Sequence, residues 1–383
     1  MTPGFVQTAG TRFVLDGTAF PVVGINCYFL SFCSDTARKG TLDAIQQTGA
    51  NVIRTWAFLD SAIKPDQGPV FRYGSDGNLV VNEGPDGLPL LDSLIHMAEE
   101  YGFRLILPLV NYWADFGGMQ MHVEYLCPDE ALPTGGDVNA GARAEFYRCP
   151  KAQASFKGWI QYLLNRPNSI TGTLYKDSPA ILAWELANEP RCEIPGGREL
   201  LLDWVREMSQ YVKEQDSNHL LALGDEGFFT RENPPNYLYS GQQGVDFDAT
   251  LAIPEIDFGT YHFYPEPKEM NVPLAFGSTW IADHIASGQR ANKPVVMEEY
   301  GALIEDPQQT DGKTVASVEE RNRWYAGWQQ TICDSGGAGD LLWMMGSHET
   351  EVAGDDDGYT VYSAVDIPSL AAHAAAMSNR AAG

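Results

Sequence analysis

The chain has 383 residues, which is enough for one large core or for an α/β barrel with long insertions. Its 25 basic and 51 acidic residues give a formal net charge of −26, and a chain this acidic repels nucleic acid and anionic lipid. No apolar run reaches the roughly 20 residues of a membrane span. We therefore expect one domain over residues 1–383, monomeric, with neither a nucleic-acid nor a membrane partner.

Strands and helices are predicted to alternate along the chain after a short N-terminal hairpin. Residues 5–15 alternate and then turn at Asp16-Gly17, and we expect this hairpin to cover the bottom of a barrel. Apolar runs of strand length lie at residues 20–26, 51–58, 103–110, the first half of 181–191, 219–224, 257–262, 294–299 and 341–345. Helical patterns lie at residues 36–48, 90–101, 152–165, 198–214, 280–288, 315–335 and 368–378.

Eight strands that alternate with helices predict a (β/α)₈ TIM barrel, a fold of the α/β class. Three connections are long. Residues 64–89 are rich in glycine, proline and aspartate and predict a surface loop or short hairpin, whereas 111–150 and 228–256 predict loops. Loops of this length in a compact domain are usually functional, and we expect them at the C-terminal face of the barrel.

The stretch 181–191 contains the clearest candidate for a functional group. Its apolar first half predicts a buried strand between Pro179 and Pro190. Asn188 and Glu189 stand at the end of this strand. In a parallel barrel the C-terminal mouth is where catalytic groups collect, so a partner of Glu189 is expected at the end of another strand.

Polar and aromatic side chains follow most of the other predicted strands. They are Arg54, Trp113, Glu226, His262, Tyr264, Glu298, Glu299 and Trp343. All would face the same mouth of the barrel. Glu298 and Glu299 compete for one position, because neighbouring residues on a strand point to opposite faces. We expect the one that does not face the site to form a structural pair.

Two carboxyl groups across such a mouth can cleave a glycosidic bond. One protonates the departing oxygen and the other supplies electrons to the anomeric carbon. The two carboxyl groups lie about 5 to 5.5 Å apart in retaining enzymes and about 6.5 to 9.5 Å apart in inverting ones. The acid needs a raised pKa, whereas the other group must stay ionised.

The other residues have expected roles in this hypothesis. Arg54 and a tyrosine hydroxyl would keep the nucleophile ionised, and Asn188 would bond to the 2-hydroxyl of the sugar. His262 would lie near the acid or a sugar hydroxyl, and Trp343 would form the floor beneath a sugar. The structural alternatives are a buried ion pair for Arg54, a satisfied core histidine for His262, and core aromatics for Trp113 and Trp343.

The six cysteines are scattered and include no C-x-x-C pair, so the sequence predicts no zinc site. They are compatible with one or two disulfides in a secreted protein or with free thiols in a cytosolic one. Neither the histidines nor the acidic residues 355–357 have metal-site spacing, and we expect no metal and no cofactor. We expect an extracellular protein whose leader is absent or removed, with the cytoplasm as the alternative.

Together, the strand-end residues resemble glycoside hydrolase family 5, a family of retaining (β/α)₈ barrels. The resemblance rests on Arg54, Asn188-Glu189-Pro190, His262-x-Tyr264, Glu299-Tyr300-Gly301 and Trp343. In that family the glutamate of Asn-Glu-Pro is the acid/base, and the glutamate before the aromatic–glycine pair is the nucleophile. The resemblance thus implies that Glu189 and Glu299 are catalytic and that Glu298 is not.

Several segments look like the β-mannanase branch of that family. Residues 111–118 are similar to its Asn-Asn-Trp-x-x-Tyr-Gly-Gly motif, with Tyr112 in place of the second asparagine. In that branch, the arginine after Asn-Glu-Pro and the glutamate before Gly-Phe lie on the leaving-group side. The resemblance therefore implies substrate contacts for Arg191 and Glu226.

The activity implied by the resemblance is that of an endo-β-1,4-mannanase acting on mannan, glucomannan or galactomannan with retention. An exo-acting β-mannosidase on manno-oligosaccharides, with or without transglycosylation, would use the same carboxyl groups. Loops 127–148 or 233–254 could close one end of the groove in that case. A non-catalytic carbohydrate-binding barrel is a third hypothesis, and the intact carboxyl pair argues against it.

Overall fold

The computed structural model describes residues 4–128, 138–304, 312–347 and 358–382. In these ranges the strands are β1 (Val6–Ala9), β2 (Arg12–Leu15), β3 (Thr18–Ala19), β4 (Val22–Asn26), β5 (Val52–Arg54), β6 (Asp60–Ser61), β7 (Arg72–Ser75), β8 (Asn78–Val81), β9 (Arg104–Pro108), β10 (Ile181–Glu185), β11 (Leu220–Ala222), β12 (Gly259–Phe263), β13 (Val295–Tyr300) and β14 (Gly339–Leu342). The α-helices are α1 (Asp35–Gln46), α2 (Pro89–Tyr101), α3 (Met119–Leu126), α4 (Val138–Phe146), α5 (Pro150–Leu164), α6 (Gly197–Gln215), α7 (Phe247–Leu251), α8 (Phe276–Ala291), α9 (Val318–Ser335) and α10 (Ser369–Ala382). Short 3-10 helices lie at Tyr28–Ser31, Tyr175–Asp177, Tyr237–Tyr239 and Ala364–Asp366.

Eight parallel strands form a nearly closed barrel, which confirms the predicted (β/α)₈ fold. Their order around the barrel is β11, β10, β9, β5, β4, β14, β13 and β12. The outer strands of this order are joined where the amide of Asp257 donates to the carbonyl of Leu221 at 2.8 Å. Nearer the C-terminal mouth, the amide of His262 donates to the carbonyl of Glu226 at 3.2 Å.

The barrel strands are apolar along most of their length because both of their faces are covered. Every residue of β4 and every residue of β10 is buried. Each buried valine, leucine or isoleucine side chain contributes roughly 1.5–3 kcal/mol of transfer free energy. Glu185 ends the otherwise apolar β10, and its burial needs partners of opposite charge or a proton. None of the described helices is long and apolar enough to cross a membrane.

The N-terminal strands β1, β2 and β3 form an antiparallel sheet over the bottom of the barrel, where the sequence predicts a hairpin. Asp16 and Gly17 have φ values of 51° and 78°, as the two central residues of a type I′ turn require. Phe13 packs edge-on against Phe258, which precedes β12, with the ring centroids 5.3 Å apart. This sheet covers the N-terminal ends of the barrel strands, at the opposite end of the barrel from the predicted site.

Several connections contain more regular structure than the sequence predicts. The predicted loop 111–150 contains α3 and α4, although residues 129–137 lie outside the described ranges. Both helices are short, and α4 contains a glycine, so their periodicity is weak in the sequence. The segment 64–89 contains the hairpin of β7 and β8, and α7 lies in the predicted loop 228–256. The acidic residues 355–357 also lie outside the described ranges.

One disulfide joins Cys127, at the end of α3, to Cys149, immediately before α5. The two cysteines are separated by 22 positions, and their Cα atoms lie 6.8 Å apart. The other four cysteines, Cys27, Cys33, Cys192 and Cys333, are free thiols. Of the alternatives left by the sequence, a single disulfide is therefore the one observed. It closes the segment 127–149, which contains α4, and ties the end of α3 to the start of α5.

The double substitution C127S/C149S should lower the free energy of unfolding by roughly 3 kcal/mol, because the unfolded chain regains the freedom of the closed loop. Urea unfolding under oxidising conditions measures this loss. The matched control is C333S, which removes a partly exposed free thiol and should change the free energy by less than about 0.5 kcal/mol. Equal losses of unfolding free energy in C127S/C149S and C333S would contradict the assignment of the disulfide.

Candidate active site

The predicted site residues converge at the C-terminal ends of the barrel strands. Arg54 ends β5, His262 lies in β12 and Glu299 lies in β13. Glu189 follows the end of β10. The remaining predicted residues line the two cavities at the same mouth: Trp113, Asn188, Arg191, Glu226, Tyr264 and Trp343. All ten predicted residues are thus brought to one place by the fold.

The Glu189 and Glu299 carboxyl groups meet across this mouth. One oxygen of each carboxyl group and one ring nitrogen of His262 lie within 4.8 Å of one another. This spacing is close to the roughly 5 to 5.5 Å of retaining glycosidases, and shorter than the separation that inverting enzymes use to admit a water. The three side chains are also close enough to share a cation, but protein hydrogen bonds already account for their arrangement.

The Glu299 carboxyl group is held by a cation and a hydroxyl group. Its Oε1 accepts a hydrogen bond from Nη1 of Arg54 at 2.5 Å, and its Oε2 accepts one from the Tyr264 hydroxyl at 2.7 Å. Burial raises the pKa of Glu299 above its ordinary value, and the charges of His262 and Arg54 oppose this shift. These partners therefore favour the ionised form that a nucleophile requires.

The Glu189 carboxyl group has different partners. Its Oε2 accepts a hydrogen bond from Nε1 of Trp113 at 2.5 Å, and its Oε1 lies 2.8 Å from Nδ1 of His262. Burial opposes ionisation of Glu189, but His262, Arg191 and Trp113 outweigh burial and lower its pKa to about 2. The expectation of a raised pKa for the acid was therefore wrong for this state, because the proton of the Glu189–His262 pair rests on the imidazole.

The backbone at Glu189 is held by both neighbouring strands. The amide of Asn188 donates to the carbonyl of Val110, and the amide of Glu189 donates to the carbonyl of Gly224, both at 2.8 Å. Glu189 has a φ of 50°, a left-handed conformation that is uncommon for a residue with a side chain. Such strain persists only where the surrounding structure imposes it, as these two bonds do here.

Arg54, at the end of β5, connects the nucleophile candidate to residues of β4 and β10. It is fully buried, and its Nε donates to Glu185 at 2.9 Å. Its Nη2 donates to Oδ1 of Asn188 at 2.8 Å, and its Nη1 also reaches Oδ1 of Asn26 at 3.3 Å. Because the guanidinium is planar and rigid, these bonds fix the positions of Asn188 and Glu299 relative to each other.

Glu298 also faces the barrel interior, so the expectation that only one of the two neighbours does so was wrong. Tyr261 pairs with Met297 but His262 pairs with Glu299, which leaves Glu298 as an extra residue in the ladder. A bulge of this kind re-aims side chains. Oε2 of Glu298 lies 3.4 Å from Nε2 of His262, so Glu298 does form a structural pair, as expected.

On one side of the carboxyl pair lies a cavity of about 600 Å³. Arg191 and Glu226 form a bidentate ion pair in its wall, with N–O distances of 2.5 and 2.6 Å. The Arg191 guanidinium also lies 5.0 Å from the ring centroid of Trp113 and 5.2 Å from that of Phe228. The wall thus combines fixed charges with aromatic faces.

On the other side lies a cavity of about 430 Å³ with an aromatic wall. Trp343 and Tyr28 are nearly parallel, with ring centroids 6.1 Å apart, and Trp56 lies 6.2 Å from each of them. Trp343 directly follows β14, as expected of a residue at a strand end. Apolar and aromatic walls with a few convergent polar groups are typical of small-molecule sites.

Several residues that line the two cavities were not predicted as site residues from the sequence, namely Tyr28, Trp56, Asn111, Tyr237 and Glu269. Asn111 supports the site, because its Oδ1 accepts a hydrogen bond from Nδ2 of Asn188 at 3.0 Å. Tyr28, Trp56 and Asn111 all lie just beyond predicted strands or at their ends, so their positions could have identified them. Glu269 and Tyr237 lie in long connections, where no pattern points to the mouth.

Comparison with known proteins places this arrangement in a family. A family model described as GH family 5 beta-mannosidase-like matches residues 3–346. The mannan endo-1,4-beta-mannosidase A of Podospora anserina is 36% identical over 93% of this chain and 86% of its own length. The probable mannan endo-1,4-beta-mannosidase A of Aspergillus flavus is 35% identical over 95% of this chain and 86% of its own length.

Solved structures agree with this result. The crystal structure of the endo-1,4-beta-mannanase from Rhizomucor miehei has 34% sequence identity and a TM-score of 0.84. The match covers 98% of this chain and 100% of that chain. A family 5 mannosidase of the same organism has 22% identity and a TM-score of 0.76, a likeness that shows the fold alone. From the family match and these relatives, we conclude that the chain belongs to glycoside hydrolase family 5, in its β-mannosidase-like group.

Proposed function

We propose that this protein is a retaining endo-β-1,4-mannanase that cleaves mannan, glucomannan or galactomannan. The observation that carries the proposal is the pair of carboxyl groups, Glu189 and Glu299, which lie within 4.8 Å of each other between two cavities. The names of the curated relatives, mannan endo-1,4-beta-mannosidases, support the choice of polymer and of internal cleavage.

In the first step, a Glu299 carboxylate oxygen bonds to the anomeric carbon while the glycosidic C–O bond breaks. The electron pair of the broken bond goes to the departing oxygen, which takes a proton from the Glu189 carboxyl group. The products are a mannosyl ester of Glu299 and a shortened glycan. Arg54 and Tyr264 keep Glu299 anionic until it attacks, through the hydrogen bonds at 2.5 and 2.7 Å.

The proton for this step is already in the site. It lies on Nδ1 of His262, in the hydrogen bond between His262 and Glu189. Burial alone would lower the pKa of His262, but the charges of Glu299, Glu189 and Glu298 raise it well above its ordinary value. As Glu299 gives up its charge to the anomeric carbon, this attraction weakens. The proton can then pass from Nδ1 of His262 to Oε1 of Glu189, 2.8 Å away, and on to the departing oxygen.

In the second step, water attacks the anomeric carbon and breaks the ester to Glu299. Glu189 takes the proton of the water, and the second inversion restores the β configuration. Asn188 donates one N–H to Asn111 at 3.0 Å, and its second N–H is available for the 2-hydroxyl of the sugar. A bond to this hydroxyl can strengthen in the transition state.

Cavities on both sides of the carboxyl pair favour cleavage within a polymer. Trp113 and the Arg191–Glu226 ion pair would hold sugars on the leaving-group side, and Trp343 would hold those on the non-reducing side. An exo-acting β-mannosidase, the alternative, would need one of these sides closed. In the segment 233–254, Tyr237 and Gln243 form part of the wall of the cavity on the leaving-group side.

We further propose that residues 1–383 act as one catalytic domain, as an extracellular monomer that uses no metal or cofactor. The Cys127–Cys149 disulfide supports an oxidising compartment, because such bonds are rare in reducing ones. The double-displacement chemistry is complete with carboxyl groups, the imidazole and water.

Azide rescue of alanine variants should separate the roles of the two glutamates. In E299A, azide can replace the nucleophile and give the α-mannosyl azide, because a single displacement inverts the anomeric carbon. In E189A, azide can attack the mannosyl ester of Glu299 without a general base and give the β-mannosyl azide. We expect kcat/KM of E189A on mannan to fall about 10²–10⁴-fold, and the anomeric configuration is read by NMR.

The matched control for both variants is E207A. Glu207 lies on the outer helix α6 and pairs with Lys157 at 2.6 Å, so its loss should leave turnover unchanged. Full turnover in E299A would contradict the nucleophile assignment. A β-mannosyl azide from E299A and an α-mannosyl azide from E189A would show that Glu189 is the nucleophile and Glu299 the acid/base.

Mannohexaose should be cut at internal bonds into fragments of mixed length, because the site has room on both sides of the catalytic pair. Chromatography of early products measures this directly. Release of single mannose units alone would instead support the exo-acting alternative. Reducing-sugar release should be greater from mannan than from carboxymethylcellulose, and binding to mannan without any turnover would favour the non-catalytic hypothesis.

Tyr264→Phe should move the acid limb of the kcat/KM profile to higher pH by about one unit. The Tyr264 hydroxyl favours the Glu299 anion, so its loss raises a pKa that burial already raises. Because the nucleophile must be ionised, activity falls as the pH drops through this pKa. The control is Y101F, which removes a 2.6 Å bond to Asp43 on the outer helices. An unmoved limb in Y264F would contradict this account.

A further inference from the structure

A second pair of carboxyl groups lies beneath the catalytic pair and takes no part in the two displacement steps. Glu185, the last residue of β10, and Glu298, the bulged residue of β13, are both fully buried. Both carboxyl groups lie against the same atom, Nε of Arg54, which is 2.9 Å from Oε2 of Glu185 and 3.5 Å from Oε2 of Glu298. Two ionised carboxylates packed against one cation in this way repel each other, and a proton on one of them removes the repulsion and supplies a donor.

The remaining contacts of this pair account for only one oxygen of each group. Oε2 of Glu185 accepts a hydrogen bond from Nε of Arg54 at 2.9 Å. Oε2 of Glu298 lies 3.4 Å from Nε2 of His262 and 3.5 Å from Nε of Arg54. Within the described ranges, the Oε1 atoms of both residues are buried and have no hydrogen-bond partner. Buried polar atoms are rarely left unpaired, and a proton between the two groups would satisfy both.

We propose that Glu185 and Glu298 share one proton, which rests on Glu185, so that Glu298 stays ionised against His262. The pair then carries one negative charge beside Arg54 instead of two. Glu185 and Glu298 are positioning residues in this proposal. Glu185 orients the guanidinium that contacts Glu299, and Glu298 keeps the imidazole protonated. These roles rest on the proposed function, whereas the location of the proton does not.

The surrounding charges favour the proton on Glu185. Glu298 faces two cations, Arg54 and His262, whereas Arg54 is the only cationic partner of Glu185 among the described residues. Burial, with a contribution from Glu298, raises the pKa of Glu185 well above its ordinary value against the effect of Arg54. Burial acts on Glu298 as well, but there Arg54, Glu185 and His262 outweigh it and lower the pKa. Asp225 is a further buried acid near Glu298, and burial raises its pKa to about 8.

The ionised Glu298 affects catalysis because its charge stabilises the protonated form of His262. Nδ1 of His262 faces the catalytic carboxyl groups, 2.8 Å from Glu189 and 3.7 Å from Glu299, while Nε2 faces Glu298 from below. The charge of Glu299 disappears when the mannosyl ester forms, but the charge of Glu298 is constant through the cycle. Glu298 therefore helps to determine the pH at which the site loses the proton that the leaving group needs, and with it the basic limb of kcat/KM.

Two amide substitutions test the location of the proton. Glutamine at position 185 resembles a protonated acid in size and in its ability to donate, whereas glutamine at position 298 removes the anion that faces His262. In E185Q, the imidazolium of His262 should persist to the same pH as in the wild type. In E298Q it should be lost about one pH unit lower or more, because an opposite charge no longer favours it.

The readout is the ¹⁵N NMR titration of His262 in the full chain, with its signals assigned by their absence in a His262→Asn variant. The basic limb of kcat/KM should move in parallel, to lower pH in E298Q and not in E185Q. Equal shifts in both variants, a shift in E185Q alone, or no shift in either would overturn the proposal. A purely structural role would lower the thermal stability of both variants without this asymmetry.

The titration needs no turnover, so its outcome is separate from that of the proposed function. Wild-type protein that never cleaves mannan would reject the function and leave the shared proton intact. Normal cleavage together with symmetrical titrations would reject only the shared proton. If either variant fails to fold, neutron diffraction of the wild type at neutral pH can show which carboxyl group carries the proton. Deuterium on Glu185 supports the proposal, and deuterium on Glu298, or on neither group, overturns it.

Discussion

The active site depends on one buried guanidinium group, that of Arg54. It lies at the end of β5 and contacts Glu185, Asn188 and Glu299 at 2.9, 2.8 and 2.5 Å. A lysine would keep the charge but not these simultaneous contacts, because its donors leave a single atom on a flexible stem. Without any cation, the carboxylates packed around this point would be buried and uncompensated, which proteins rarely tolerate. The Arg54 guanidinium therefore stabilises the C-terminal end of the barrel and also positions Glu299 and Asn188.

In the proposed mechanism, the carboxyl groups of Glu189 and Glu299 are coupled electrostatically through His262. The imidazole contacts Glu189 at 2.8 Å, and its charge depends on the charge of Glu299. A nucleophile that loses its charge thus loosens the proton that the leaving group requires. Attack and proton donation are linked by electrostatics at short range, and no movement of the backbone is needed for the two events to be synchronised.

Much of this arrangement could be predicted from the sequence. The barrel strands are recognisable because burial on both faces makes them continuous apolar runs, and polar residues at the ends of such runs stand out. The direction of Glu298 could not be predicted, because the bulge depends on how β13 pairs with β12 and not on the residues of β13 alone. The short helices α3 and α4 were missed because their stability comes from packing and from the disulfide rather than from a long periodic pattern.

Glu189 has a left-handed backbone conformation, with a φ of 50°. At this residue, the side chain that the proposed chemistry needs therefore lowers the stability of the fold. Such a conformation costs of order 1–3 kcal/mol for most side chains, whereas asparagine and glycine tolerate it better. An asparagine at this position would relax the chain and, because it removes the proposed acid/base, would abolish the proposed chemistry at the same time. Heat resistance and turnover therefore select for different residues here, and an inert variant can outlast the working enzyme at high temperature.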